Sequence, residues 1–273
     1  MSDLSPHLDV THLQAVATTP RNRTPADVGL AQELAKWFSV PYVARDDRSL
    51  AQMFTDTGAE VMIIAGQPVK LLHRDATHPL FFHPSMAAQR IERMARGEED
   101  RLLRVADVRR GDTVVDATMG LGSDALVFAH GVGIAGKVIG CEQSPLVARL
   151  LTAMQWVPNA YYGEAVDLLK RVTIIAEHHL QWLSKQPADS VDIVYFDPMF
   201  RSPAEESAGL APLRSFAVAE PLRAESVAQA KRVARRCVVV RERPFSGVFQ
   251  MYGLKADNPK RKIAYGVWRK YDD

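Results

Sequence analysis

The chain has 273 residues, 47% of them hydrophobic and 24% charged, which is ordinary for a globular protein with room for a substantial core and a second, smaller domain. No apolar run approaches the ~20 residues that cross a bilayer, and the opening Met1-Ser-Asp-Leu-Ser-Pro lacks a signal-peptide core, so no membrane partner and a cytoplasmic location are expected. Cys141 and Cys237 sit in apolar runs and read as buried, reduced thiols. The net charge of +2 is uneven: residues 1–78 carry −2, residues 79–200 carry −3 and residues 201–273 carry +7. Lys231, Arg232, Arg235, Arg236, Arg241 and Arg243, then Lys255, Lys260, Arg261 and Lys262, make up most of that excess. Such a face suits an anion such as nucleic acid, while solvated helix faces would give the same count.

After a polar tail, residues 13–18 are strand-like. Thr24 can cap a helix that has Pro25 at its first position and a stripe of Leu30, Leu34 and Trp37. A helix near Ser49–Phe54 and strands at Val61–Ala65 and Val69–Leu72, joined through Gly66-Gln67, complete a small α/β domain over residues 1–78. The proline-punctuated segment 77–84 leads into helices near Ser85–Arg96 and Asp100–Val108. Strands then alternate with helices: Val114–Asp116, Lys137–Cys141, Val172–Ala176, Val191–Phe196 and Cys237–Arg241, with a helix at Ala224–Ala234 before the last. Ile263–Trp268 is the final strand. This alternation predicts an α/β domain over residues 79–273, with a mostly parallel sheet covered by helices on both faces.

The most informative stretch is Val114-Val-Asp-Ala-Thr-Met-Gly-Leu-Gly-Ser-Asp-Ala125. An apolar strand ends in an acid, a glycine turn follows, and a helix opens at Ala125. Asp116, Thr118, Gly120, Gly122, Ser123 and Asp124 are its candidate cofactor contacts. Glu142 ends the next strand about 20 residues on, where an acid accepts ribose hydroxyls, and Gln143 beside it can meet an adenine edge. The pattern also fits a dinucleotide fingerprint. However, Asp116 and Asp124 would oppose a pyrophosphate at the helix N-terminus, and they suit the phosphate-free, cationic S-adenosylmethionine better. Gly131-Val-Gly-Ile-Ala-Gly136 repeats the glycine spacing but follows a helix, so it reads as a plain loop.

His178 and His179 follow the third strand. Adjacent histidines seldom reach one ion and no Cys or carboxylate cluster completes a shell, so no metal is expected. They are candidates for adenine contacts or ordinary loop residues. Asp197-Pro-Met-Phe200 closes the fourth strand at the same sheet edge. An Asp-Pro pair alone often just ends a strand, but here it resembles the Asp/Asn-Pro-Pro-Tyr/Phe element of amino-methyltransferases. That likeness assigns acceptor roles to Asp197, Pro198 and Phe200: the acid accepts from an exocyclic NH2, and the aromatic stacks on a base taken out of its stack.

Together, Asp-Ala-Thr-x-Gly-Leu-Gly-x-Asp, Glu142, Asp-Pro-Met-Phe and Ala234-Arg-Arg-Cys-Val-Val-Val-Arg-Glu-Arg-Pro244 resemble the RsmJ-type family of small-subunit ribosomal RNA guanine-N2 methyltransferases. The resemblance runs over residues 110–245. It implies a class I methyltransferase fold (Rossmann-like, with a seven-stranded sheet) plus the small N-terminal α/β domain, S-adenosyl-L-methionine as cofactor, and ribosomal RNA as partner. It also implies cofactor contacts at Ser123, Asp124, Glu142, Gln143, His178, His179 and Asp197. Ser123 stands where that family usually has Arg, Arg201-Ser-Pro203 replaces its usual Pro-His, and residues 1–78 show no match. A methyltransferase of DNA or of a small molecule, a non-catalytic RNA-binding assembly factor and an NAD oxidoreductase are the alternatives.

Overall fold

The computed structural model describes residues 14–157, 162–198, 213, 216 and 220–271. They fall into two compact units. One comprises the described residues of Met1–His83, Ser144–Gly163 and Ser207–Ala217. The other comprises those of Pro84–Gln143, Glu164–Glu206 and Val218–Asp273.

In the first unit, β1 (Ala15–Thr18) leads to α1 (Pro25–Phe38). Thr24 starts this helix by accepting from the Asp27 N–H, while the Asp27 carboxylate accepts from the Thr24 N–H at 2.7 Å. α2 (Leu50–Thr57) opens with the same device, Ser49 paired with Gln52, and ends at Gly58 in the left-handed region. β2 (Val61–Ile64) pairs in parallel with β1 and antiparallel with β3 (Lys70–His73), and β4 (Leu80–Phe81) adds a fourth strand. Val16, Met53, Ala59, Met62 and Ile64 form a core between sheet and helix.

The second unit begins with α3 (Ser85–Ala95) and α4 (Arg101–Val105). α4 is shorter than the predicted Asp100–Val108 because Ala106 caps it and Asp107 turns to φ 51°. There follow β5 (Thr113–Asp116), α5 (Ser123–Val132) and β6 (Lys137–Cys141). α6 (Pro145–Trp156) belongs to the first unit, where the Trp37 indole donates to the Arg149 carbonyl at 3.1 Å and packs edge-on against Trp156. The alternation resumes with α7 (Gly163–Leu169), β7 (Val172–Ile175), α8 (His179–Lys185), β8 (Val191–Phe196), α9 (Ala224–Val233) and β9 (Ala234–Glu242). α10 (Val248–Met251), β10 (Lys255–Ala256) and β11 (Ala264–Arg269) complete the described fold.

The seven strands run β10-β11-β9-β8-β5-β6-β7, all parallel from β9 to β7, with β11 antiparallel to both its neighbours. This is the strand order of class I methyltransferases. Chain order reverses at β5, which has β6 on one side and β8 on the other. In such sheets the ligand crevice opens at that switch point, outside the carboxyl ends of the strands.

The strands are continuous apolar runs because both of their faces are covered. Val115, Ile139, Val194, Phe196, Val238 and Val240 pack with Leu183 of α8 and Ala230 and Val233 of α9. Alternation turns Val114, Asp116 and Tyr195 to the opposite face, where α5 packs on β5 and β6 and Phe128 meets Tyr195 edge-on. Cys141 and Cys237 are buried and free. Among the described residues, no helix is long and apolar enough to cross a membrane.

Candidate functional site

At the carboxyl edge of β5, three backbone hydrogen bonds shape the glycine turn. The Ala117 N–H donates to the Tyr195 carbonyl at 2.8 Å, the Met119 N–H to the Cys141 carbonyl at 3.0 Å, and the Gly122 N–H to the Met119 carbonyl at 2.8 Å. The turn is thus tied to both β8 and β6. Gly122 caps α5 at φ 81°, which a side chain would strain. Gly140 on β6 is needed for a different reason: a Cβ there would lie 2.2 Å from the Met119 sulfur. Met119 fills that space and supports the turn from beneath.

Asp116 ends β5 almost fully buried, its carboxylate accepting from the Thr118 N–H at 3.2 Å. Burial, and after it the neighbouring Asp124 charge, push its carboxyl well above the usual carboxylate range, with Asp197 and Glu142 adding to the effect. The Thr118 hydroxyl accepts from the Asp197 N–H at 2.6 Å, so the turn is also bonded to the end of β8.

Asp124 is placed in a way the sequence does not reveal. Arg90 of α3 donates to one of its oxygens at 2.5 Å, and the buried Tyr195 hydroxyl donates to the other at 2.8 Å. The same guanidinium grips Asp100 at 2.8 and 2.9 Å. The Asp124 charge is therefore compensated inside the fold. This pairing weakens its repulsion of a phosphate, although its charge still raises the Asp116 carboxyl. Ser123 is half-buried in the first turn of α5.

Glu142 is 9% exposed at the end of β6, where its N–H donates to the Ile175 carbonyl at 2.9 Å, and Gln143 follows half-buried. His178 caps α8 by accepting the Leu180 N–H on Nδ1 at 3.1 Å, and its ring lies 4.1 Å from that of His179. His179 points into the packing: its Nε2 is 3.0 Å from the buried Ser226 hydroxyl on α9, and its ring meets Phe196 edge-on. Burial, then the His178 charge, lower it to about 4, so it is neutral at pH 7.

Asp197, just past β8, contacts Arg241 of β9 at 2.5 Å. Burial raises its carboxyl to about 6 even though Arg241 opposes the shift. Pro198 follows it, half-buried. Met199 and Phe200 lie outside the described residues.

Much of the basic cluster serves the fold. The Arg232 guanidinium donates to the Leu183 and Gln186 carbonyls, Arg235 to the Asp189 and Ser190 carbonyls and to Asp192, and Arg236 to Asp112. Lys231 donates to the Tyr252 carbonyl and sits over the Trp268 ring. A charge count cannot separate such residues from solvated ones. Lys255, Lys260 and Arg261 are exposed. Among the described residues, no group of three or more His, Cys, Asp and Glu could hold a metal ion.

The strand order, the switch point and the glycine turn define a class I methyltransferase. Residues 50–261 match the family described as "Putative SAM-dependent methyltransferase", and the chain belongs to that family. It is 32% identical to the uncharacterized protein YpiP of Bacillus subtilis (strain 168), over 92% of this chain and 97% of that protein. It is similar to ribosomal RNA small subunit methyltransferase J of Nitrosococcus oceani, at 28% identity over 72% of this chain and 78% of the relative. The match to the same enzyme of Laribacter hongkongensis is 37% identical but covers only 38% of this chain and 36% of the relative. The crystal structure of a SAM-dependent methyltransferase from Neisseria gonorrhoeae superposes with a TM-score of 0.50 at 18% identity, over 95% of this chain and 97% of that one, and shares the fold.

S-adenosylmethionine is accordingly the cofactor, and the donor set suits it. Asp116, Asp124 and Glu142 place carboxyls around a turn made of bare backbone, and burial together with the Asp124 charge holds the Asp116 carboxyl toward neutrality. A sulfonium and an ammonium relieve this repulsion, whereas a pyrophosphate would add to it.

Proposed function

We propose that the protein methylates an exocyclic amino group of a nucleobase in RNA, with guanine N2 of small-subunit ribosomal RNA as the target. The observation that carries this reading is Asp197-Pro198 at the carboxyl end of β8, one strand from the switch point and bonded through Thr118 to the glycine turn. The similarity to ribosomal RNA small subunit methyltransferase J supports the choice of RNA.

When bound, S-adenosylmethionine supplies a methyl group on a sulfonium. In our reading, Asp116, Thr118, Gly120, Gly122, Ser123 and Asp124 form its cradle, Glu142 accepts the ribose hydroxyls, and Gln143 and His178 border the adenine. His179 acts through packing. A carboxylate oxygen of Asp197 accepts one N–H of the acceptor amine and turns the nitrogen lone pair toward the methyl, while Phe200 stacks on the base. Bound there, the cofactor would supply its methyl to the amine nitrogen and leave as a neutral thioether, and the amine would release one proton to solvent. No strong base is required beforehand, so alignment supplies much of the acceleration.

Single-turnover methyl transfer to ribosomal RNA from a strain lacking the protein tests the assignment. Asp197→Ala should lower the rate far more than it weakens cofactor binding. Glu142→Ala should weaken S-adenosylmethionine binding by about 1–3 kcal/mol in calorimetry, the cost of unpaired hydroxyls. Wild-type rates from Asp197→Ala would refute the clamp.

A further inference from the structure

We propose that Arg241 is a positioning residue of the acceptor site: its guanidinium fixes the Asp197 carboxylate at the sheet edge in the orientation and charge state used on the acceptor amine. The inference rests on the amine-clamp reading above and extends it to a residue that does not itself meet the substrate.

The geometry begins with strand register. β8 and β9 run parallel with Phe196 opposite Val240, so the next residues along, Asp197 and Arg241, are neighbours on the same face. On its other side Arg241 is paired with Tyr265 of β11. Asp197, Arg241 and Tyr265 thus form one row across three strands at the edge where the crevice opens. Arg241 Nη1 meets Asp197 Oδ2, so Oδ1 is the oxygen this pair does not use, and Thr118 anchors the same residue through its backbone N–H. Backbone and side chain are each held by a separate contact, as expected of a group that must present one oxygen in a fixed direction.

The surroundings explain why a cation is needed there. Asp124 on α5, Glu242 on β9 and Asp116 at the end of β5 lie near Asp197, together with the buried Tyr195 phenol and the half-buried Tyr265 phenol. Arg90 of α3 is already engaged by Asp100 and Asp124. Burial and acidic neighbours therefore favour the neutral acid, and among the described residues Arg241 is the cation in contact with the carboxylate. A neutral Asp197 would present an O–H where an acceptor is required, and would compete with the amine instead of orienting it.

The test is a carboxyl 13C titration of the full-length protein, with the Asp197 resonance identified by its loss in Asp197→Asn. Arg241→Met should raise the Asp197 midpoint by about 1–3 pH units, the effect of removing an adjacent guanidinium. Arg241→Lys should fall between it and the wild type, and serves also if the Met variant does not fold. In single-turnover transfer to ribosomal RNA, the acidic limb of the rate profile should move upward in step, with S-adenosylmethionine affinity unchanged. A midpoint that stays put in both variants overturns the inference, as does a shifted midpoint with an unshifted rate profile. If the wild type transfers no methyl to that RNA, the substrate reading fails while the titration still decides the role of Arg241.

Discussion

Arg90→Met is the most demanding test of how the glycine turn is supported. The substitution keeps an apolar stem but removes the guanidinium that bridges Asp100 and Asp124, whose side chains are 8% and 16% exposed. Removing one partner of a buried ion pair costs about 3–5 kcal/mol, because the remaining charge is left unpaired in a low-dielectric setting. Here each acid keeps other donors: Asp100 accepts from the Leu102 and Leu103 N–H groups, and Asp124 from Tyr195. The loss should therefore sit at the lower end, about 3 kcal/mol at pH 7, or about 6–12 °C in Tm for a domain of this size.

The pH dependence has a definite sign. Burial disfavours the Asp100 charge, but the Arg90 contacts and the two N–H groups overcome it and hold the carboxyl below its usual range. Such a group stabilises the fold above its unfolded pKa of about 3.9 and loses that contribution as pH falls. In Arg90→Met Asp100 loses its guanidinium partner and takes up a proton at higher pH, so the gap to the wild type should narrow from pH 7 to pH 4. Calorimetric melting at both pH values measures this. A loss under about 2 °C at pH 7, or an equal gap at both pH values, would refute the argument.

Two further predictions concern the other face of the sheet and the partner. His179, held at about 4 by burial and then by His178, is neutral when folded but takes up a proton below about 6.5 when unfolded, so the protein should lose up to about 3 kcal/mol as pH falls from 6.5 toward 4. In His179→Gln that slope should disappear from urea unfolding, and an unchanged slope would assign it elsewhere. Reversing the exposed Lys255, Lys260 and Arg261 to Glu should weaken RNA binding and flatten its salt dependence, since each lost phosphate contact releases fewer counterions, while S-adenosylmethionine binding stays intact. An unchanged salt slope would move the RNA-binding face to another part of the surface.

The elements that hold the site were legible because a buried parallel sheet writes itself as short apolar runs. Val114–Asp116, Lys137–Cys141 and Val191–Phe196 end where the sequence puts them, and the Thr24 cap opens its helix as read. β4 and β10, with two residues each, carry too little pattern to announce themselves. Long-range pairing was equally silent. Nothing local marks Arg90 as the partner of Asp124, 34 residues on, or Arg241 as the partner of Asp197, 44 residues back. Asp124, an open acid beside the turn as the sequence presents it, is in fact paired with Arg90 and Tyr195. Arg232, Arg235 and Arg236 counted toward a basic face, yet they bind carbonyls and carboxylates of their own chain.

The central claim, methyl transfer to a base amine in small-subunit ribosomal RNA, is tested most directly in the RNA itself. Nucleoside mass spectrometry of small-subunit ribosomal RNA from wild-type and deletion strains would measure it. The account predicts that one N2-methylguanosine is lost in the deletion strain, restored by the wild-type chain and not restored by Asp197→Ala. An identical set of methylated nucleosides with and without the protein would contradict it.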